Sequence, residues 1–138
     1  MGGGALILID THALIWLDQN DPALGRHSRE LADEALNDGT LAVSAMSFWE
    51  IAMLVVKGRI TKDIDLKRWR LDLIGSGLVE LPLDGGIGIT AAQLSDLHGD
   101  PADRFILATA LANDATLLTA DRQLLDWPGT LQRHDARL

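Results

Sequence analysis

Short apolar runs separated by longer helical stretches constrain the fold of this chain more than any other feature. Leu6–Ile9 (LILI) reads as a buried strand that stops at Asp10. Leu41–Val43, Leu78–Leu81 and Thr116–Leu118 read as further strands, and a short fifth is expected around Leu131. Thr11–Leu17 reads as a short helix, and His27–Asn37 as a second, with Leu31, Ala35 and Leu36 inward and Gly39 stopping it. Ser44 caps an apolar helix that runs to about Lys57 and closes at Gly58. Asp65–Ile74 places Leu66, Trp69 and Leu73 at helical spacing, and Gly75–Gly77 ends it. Ile89–Leu97 reads as helical, and Asp100-Pro101 opens a helix to about Asn113 with proline at its first position. Strand and helix alternate throughout. That pattern predicts an α/β fold: a parallel sheet covered by helices on both faces, with ligands bound beyond the carboxyl ends of its strands.

The 138 residues suit one domain spanning 1–138, with residues 1–4 a flexible start. There is no cysteine, which excludes disulfides, zinc–thiolate sites and thiol nucleophiles. No apolar run approaches the ~18–20 residues of a membrane helix. Ala5–Ile9 is too short for a signal-peptide core, and Leu6 stands where myristoylation wants Ser or Thr. A cytoplasmic protein without a membrane partner is expected. The sequence contains neither GxGxxG, the P-loop pattern nor a GxSxG elbow, which argues against nucleotide cofactors and a serine-hydrolase site.

A net charge of −8 leaves two readings. Phosphate repels an acidic surface, so nucleic acid is not the partner; or the acids cluster at a metal site, where cations reverse the local field. The placement of the acids decides. Asp10 follows the first strand, as helix cap or as site residue. Asp121 follows the fourth strand in Thr119-Ala120-Asp121, as a cap or turn or as a site residue, and Asp84 before two glycines reads as a turn. Glu50 is the sole charge in Ala45–Val56, a stretch that reads as buried nearly all round. A carboxylate there needs a cation, either Lys57 two turns along or a metal ion. Asp100 reads as a helix cap, and Asp103 suits the first turn of that helix or a site at the sheet edge close to Asp10.

Asp10, Glu50, Asp103 and Asp121 thus come from separate segments aimed at one edge. Carboxylates packed together repel unless hard cations join them. Mg²⁺ and Mn²⁺ prefer oxygen ligands, activate water and stabilise charge on a phosphoryl group. Thr11 and Thr119 offer hydroxyls to water or phosphate, or serve as a cap and a strand end. Arg104 reaches phosphate or pairs with an acid of the cluster. With only three lysines, RNA would be gripped by arginines, with Arg59, Arg68, Arg70, Arg104 and Arg122 as candidates. His12 and His98 read as supporting or structural, Trp16, Trp49 and Trp69 as core or interface, and Trp127-Pro128 as a surface turn.

The runs Ile9-Asp10-Thr11-His12-Ala13-Leu14-Ile15-Trp16, Ser47-Phe48-Trp49-Glu50-Ile51-Ala52 with Lys57-Gly58-Arg59-Ile60, Asp100-Pro101-Ala102-Asp103-Arg104 and Leu118-Thr119-Ala120-Asp121 resemble the PIN-domain ribonucleases. More narrowly, they resemble the VapC-type toxins of toxin–antitoxin pairs. The likeness runs from about Leu6 through nearly the whole chain. It implies a three-layer α/β/α sandwich with a parallel five-stranded sheet ordered 3-2-1-4-5. It also implies that Asp10, Glu50 and Asp103 are the principal Mg²⁺- or Mn²⁺-site acids, with Asp121 a fourth that orders metal or water. The implied activity is endonucleolytic cleavage of structured RNA, such as tRNA or ribosomal RNA. The implied partners are a second copy, as a homodimer, and a small antitoxin that wraps the toxin, with an antitoxin arginine reaching the acids.

One other enzyme class, one signalling class and one binding class compete. A haloacid-dehalogenase-type phosphotransferase needs Asp-x-Asp, and Asp10-Thr11-His12 lacks the second Asp. A receiver-type signalling module needs a late lysine, and none follows Lys67. A PIN-fold binding module without activity would keep the fold and discard the acids, all of which are present.

Overall fold

A computed structural model describes residues 5–60, 65–97 and 100–138. The expected flexible start at residues 1–4, and His98, lie outside these. Twelve elements follow in order: β1 (Ile7–Ile9), α1 (Thr11–Asp18), α2 (Arg26–Asp38), β2 (Leu41–Ser44), α3 (Ala45–Val56), α4 (Leu66–Gly75), β3 (Val79–Leu81), α5 (Gly85–Gln93), α6 (Pro101–Ala112), β4 (Thr116–Thr119), α7 (Arg122–Asp126) and β5 (Arg133–Asp135). The sheet order is β3-β2-β1-β4-β5, and every pairing is parallel.

The strands read as continuous apolar runs because both faces are covered. Ile9, Leu41, Val43 and Leu118 point to one face, where Ala13, Leu14, Ala32, Ala35, Ile51 and Trp69 of the first four helices meet them. The alternate residues Leu8, Ala42 and Leu117 point to the other face, against Ile106, Leu107, Ala110 and Leu124. Ile87 and Ala91 of α5 pack on Ala108 of α6 as an outlying extension. The expected three-layer sandwich and strand order are therefore both present. The strand order reverses between β1 and β4, which makes the carboxyl ends of these two parallel strands the switch point where such sheets bind ligands.

Several local expectations need correction. The helix expected at Ile89–Leu97 is Gly85–Gln93, because Asp84 is its N-cap and not a turn: Oδ1 accepts from the Ile87 amide at 2.8 Å. The chain turns extended at Leu94. The last strand lies at Arg133–Asp135, two residues beyond Leu131, and is an edge strand of half-buried polar residues with no apolar signature. Leu131 packs against the core below it. The short helix α7 has no counterpart in the sequence reading. Inward positions of α2 are Ser28, Ala32 and Ala35, with Leu31 and Leu36 half-buried. Gly39 ends α2 at φ 73°, as its glycine predicts.

Helix α3 departs most from expectation. Only Ser47 and Ile51 are fully buried, and Trp49 is 57% exposed. A helix apolar all round in sequence is thus buried on one stripe only, and it presents Trp49 and Val56 to the surface.

Candidate active site

Each acid reaches the carboxyl edge by a different local device. Asp10 ends β1 and caps α1, its Oδ1 accepting from the Ala13 amide at 3.0 Å. Its other oxygen accepts from Thr119 Oγ1 of β4 at 2.5 Å. Asp121 caps α7, its Oδ1 accepting from the Gln123 amide at 2.8 Å. Asp100 caps α6 with Pro101 behind it, so that Asp103 falls in the first turn. Glu50 projects from the middle of α3, where Thr11 Oγ1 donates to its Oε1 at 2.5 Å. A hydroxyl has one proton, so Thr11 in turn accepts from Ser47 Oγ at 2.9 Å. Capping and site roles are therefore combined in Asp10, Asp100 and Asp121.

These acids line one cavity of about 380 Å³, together with Thr11, His12, Trp16, Ile106, Ala120 and Arg137. Their electrostatics show the crowding. Burial raises Asp10 above the usual carboxylate range, while the Thr119 and Ala13 hydrogen bonds hold it back. Burial also raises Glu50; Thr11 opposes this and Asp100 adds to it. Asp103 is pushed up to about 8, first by burial and then by the charges of Asp121, Asp100, Glu50 and Asp10. A group that feels four other acids sits at their meeting point.

All four sequence-selected acids come together, and Asp100 joins them as a fifth. From sequence Asp100 reads first as a helix cap; the cap is real, and the same side chain also stands beside Glu50. Helical spacing puts Ser47 on the face of Glu50, but its bond to Thr11 crosses between helices and leaves no local signal. Thr11 and Thr119 spend their hydroxyls on the carboxylates, fixing rotamers of Glu50 and Asp10. Among the described residues Lys57 forms no ion pair with Glu50; it ends α3 as an exposed C-cap.

The arginine expectations change too. Arg104 does not line the acid cavity, and among the described residues it pairs with none of the acids. Its guanidinium donates to the carbonyls of Ala91, Leu94 and Leu97 at 2.7–3.0 Å, closing the end of α5 and the loop after it. Arg70 is held by Glu80 at 2.6 and 2.8 Å. Arg68 pairs with Asp72 at 3.4 Å, and Arg122 with Asp135 at 3.6 Å. The guanidinium that does face the cavity is Arg137, which no local pattern distinguishes.

The donor set fits a hard divalent cation. It is all oxygen. The most buried carboxylate, Asp10, is 7% exposed and, among the described residues, pairs with no arginine or lysine. The raised pKa values report burial first and the neighbouring negative charges second, and a cation would offset both. Among the described residues no three His, Cys, Asp or Glu side chains stand close enough together, as they are placed, to hold a metal ion among them. Mg²⁺ characteristically takes one or two carboxylates directly and keeps its waters, so an open cluster suits it. Because Thr119 aims Asp10, Thr119→Val is expected to lower metal affinity or activity about 10- to 100-fold with the fold retained. Calorimetric Mn²⁺ titration checks this, and unchanged affinity and activity would refute the positioning role.

The PIN domain family profile matches residues 7–128. Ribonuclease VapC22 of Mycobacterium tuberculosis is 32% identical over 119 residues, covering 86% of this chain and 88% of that protein. The crystal structure of VapBC2 from Rickettsia felis, bound to a promoter DNA fragment, superposes with TM-score 0.70 at 19% identity, over 94% of this chain and 98% of that one. DNA-bound VapBC from Salmonella typhimurium gives 0.68 at 21% identity, over 96% and 98%. At those identities the two structures establish the fold alone, while the profile match and the VapC22 likeness establish kinship. With a 3-2-1-4-5 parallel sheet and acids gathered at its switch point, the chain belongs to the PIN-domain family, in its VapC branch.

Proposed function

We propose that this chain is the toxin of a toxin–antitoxin pair, a Mg²⁺- or Mn²⁺-dependent endoribonuclease that hydrolyses RNA phosphodiester bonds in the cytoplasm. The observation that carries the reading is the meeting of Asp10, Glu50, Asp103 and Asp121, with Asp100, around one open cavity at the sheet's carboxyl edge. The similarity to a protein named a ribonuclease supports the substrate class.

Asp10, Glu50, Asp103 and Asp121 would hold the cation, with Asp100 beside Glu50. When bound, it supplies the positive field that lowers the pKa of water and stabilises charge developing on phosphate. The chain supplies the rest. Thr119 and the Ala13 amide lock Asp10, the Ser47–Thr11 relay locks Glu50, and the α7 amides lock Asp121. Carboxylates fixed in advance need no reorganisation during the reaction. The cation also answers the charge problem: a chain of net charge −8 attracts RNA only where that excess is locally reversed.

A small antitoxin is the proposed partner, since the structural neighbours include toxin–antitoxin complexes. A homodimer is proposed as well. Exposed Trp49, with Ala45, Met46, Leu83 and Pro101, lines an apolar hollow of about 360 Å³ that a second copy would cover. Among the described residues no helix is long and apolar enough to cross a membrane. The test is incubation of the purified, partner-free chain with total cellular RNA in Mg²⁺ or Mn²⁺ beside an EDTA control. Discrete fragments that appear only with the metal are expected. Intact RNA under both metals, from protein shown to be folded, would overturn the reading.

A further inference from the structure

Arg137 is the one arginine or lysine lining the acid cavity among the described residues, and its position is built from several directions. Its Nη1 donates to the Ala120 carbonyl at 2.6 Å, between Thr119 and Asp121. Its own amide donates to Asp135 Oδ1 at 2.9 Å. The backbone around it is pinned: the Ala136 amide to the Thr119 carbonyl at 2.9 Å, the Gly25 amide to the Ala136 carbonyl at 2.8 Å, and the His27 amide to the Leu138 carbonyl at 3.0 Å. Gly25 permits this approach. A Cβ there would stand 2.4 Å from the Arg137 carbonyl oxygen and 2.2 Å from the Leu138 carbonyl carbon. The start of α2 and the end of β4 thus clamp residues 136–138 from two sides.

A guanidinium has five N–H groups in a rigid fork. Arg137 commits one nitrogen to the protein, and among the described residues it enters no ion pair, although five carboxylates line the same cavity. A fork anchored at one tip, partly free and facing the space where the acids meet suits a phosphate oxygen. Resting on the ribonuclease reading above, we propose that Arg137 is a substrate-binding residue, whose free N–H groups hold a phosphate of the RNA backbone at the acid site. None of Arg59, Arg68, Arg70, Arg104 and Arg122 lines the acid cavity, and Arg70 and Arg104 are committed elsewhere.

The experiment compares wild type, Arg137→Ala and Arg137→Lys on total cellular RNA in Mg²⁺ across a salt series. It also measures retention of fluorescein-labelled total small RNA by the cleavage-blocked Glu50→Gln chain, with and without Arg137→Ala. Loss of one charge-assisted contact is expected to lower kcat/KM about 10- to 100-fold, with partial recovery in Arg137→Lys. The slope of log affinity against log salt should flatten by about 0.7, and retention by Glu50→Gln should fall when Arg137 is removed. Gly25→Ala, which displaces the clamp while keeping the arginine, should reproduce part of that loss. Normal cleavage and retention by Arg137→Ala would overturn the assignment while leaving the ribonuclease reading intact. So would a loss that only tracks a fall in Tm with an unchanged salt slope, which marks Arg137 as part of the clamp alone. Wild type that neither cuts nor retains RNA would overturn both readings.

Discussion

Glu50→Gln and Asp10→Asn are each expected to reduce RNA cleavage by at least about 100-fold, the scale of losing one preorganised electrostatic contact to a transition state, while leaving the fold and the antitoxin interaction in place. The substitutions are isosteric, and the local bonds survive them. In Glu50→Gln the amide oxygen would still accept from Thr11, as the carboxylate oxygen does. In Asp10→Asn the side chain still caps α1 through the Ala13 amide, since Asn and Asp are comparable N-caps. Its amide nitrogen would face the Thr119 hydroxyl, which can turn to accept. What disappears is a negative charge at the meeting point. The measurement is a cleavage time course with thermal melts of each variant. Both variants cutting at the wild-type rate would remove these carboxylates from the mechanism.

The second large effect concerns stability without metal. Asp10, Glu50 and Asp103 are all raised, Asp103 to about 8. An unfolded chain releases these protons near the ordinary carboxylate pKa of about 4. Between about pH 4 and 8 the folded state therefore binds more protons than the unfolded one, and stability falls as pH rises through that window. Metal-free protein should lose Tm from pH 5 to 8, and Mg²⁺ should restore it by favouring the charged acids. Asp103→Asn removes the charge that all the others oppose. It should raise the metal-free Tm at pH 8 by about 2–6 °C, the shift corresponding to roughly 1 kcal/mol in a domain of this size. Calorimetric melts at several pH values with EDTA check the sign. A wild-type Tm that climbs over the same range, or a less stable Asp103→Asn, would contradict the crowding.

Much of this molecule is legible in its sequence because burial and position coincide. The central strands are apolar on both faces, so Leu8, Val43 and Leu117 announce themselves. Asp10 and Asp121 follow strands, where the chain must turn and where the site also lies. Glu50 stands out because a lone carboxylate in an apolar helix needs an explanation. The less legible features share a different physics. Arg104 and Arg137 have long side chains, and neighbouring residues do not reveal whether they end at carbonyls behind α5 or at the acid cavity. From sequence Asp84 and Asp100 read as turn and cap; each is a cap, but one starts a glycine-bearing helix and the other also joins the site. Strand β5 pairs at a polar edge, so periodicity gives no warning of it.

The most direct test of the account is an Mn²⁺ titration of the partner-free chain followed by electron paramagnetic resonance, with Asp10→Asn and Glu50→Gln beside it. Saturable binding to the wild type, weakened in both variants and displaced by Mg²⁺, is the predicted result. Binding that is absent from the folded wild type, or equal in all three proteins, would contradict the claim that these acids form a metal site.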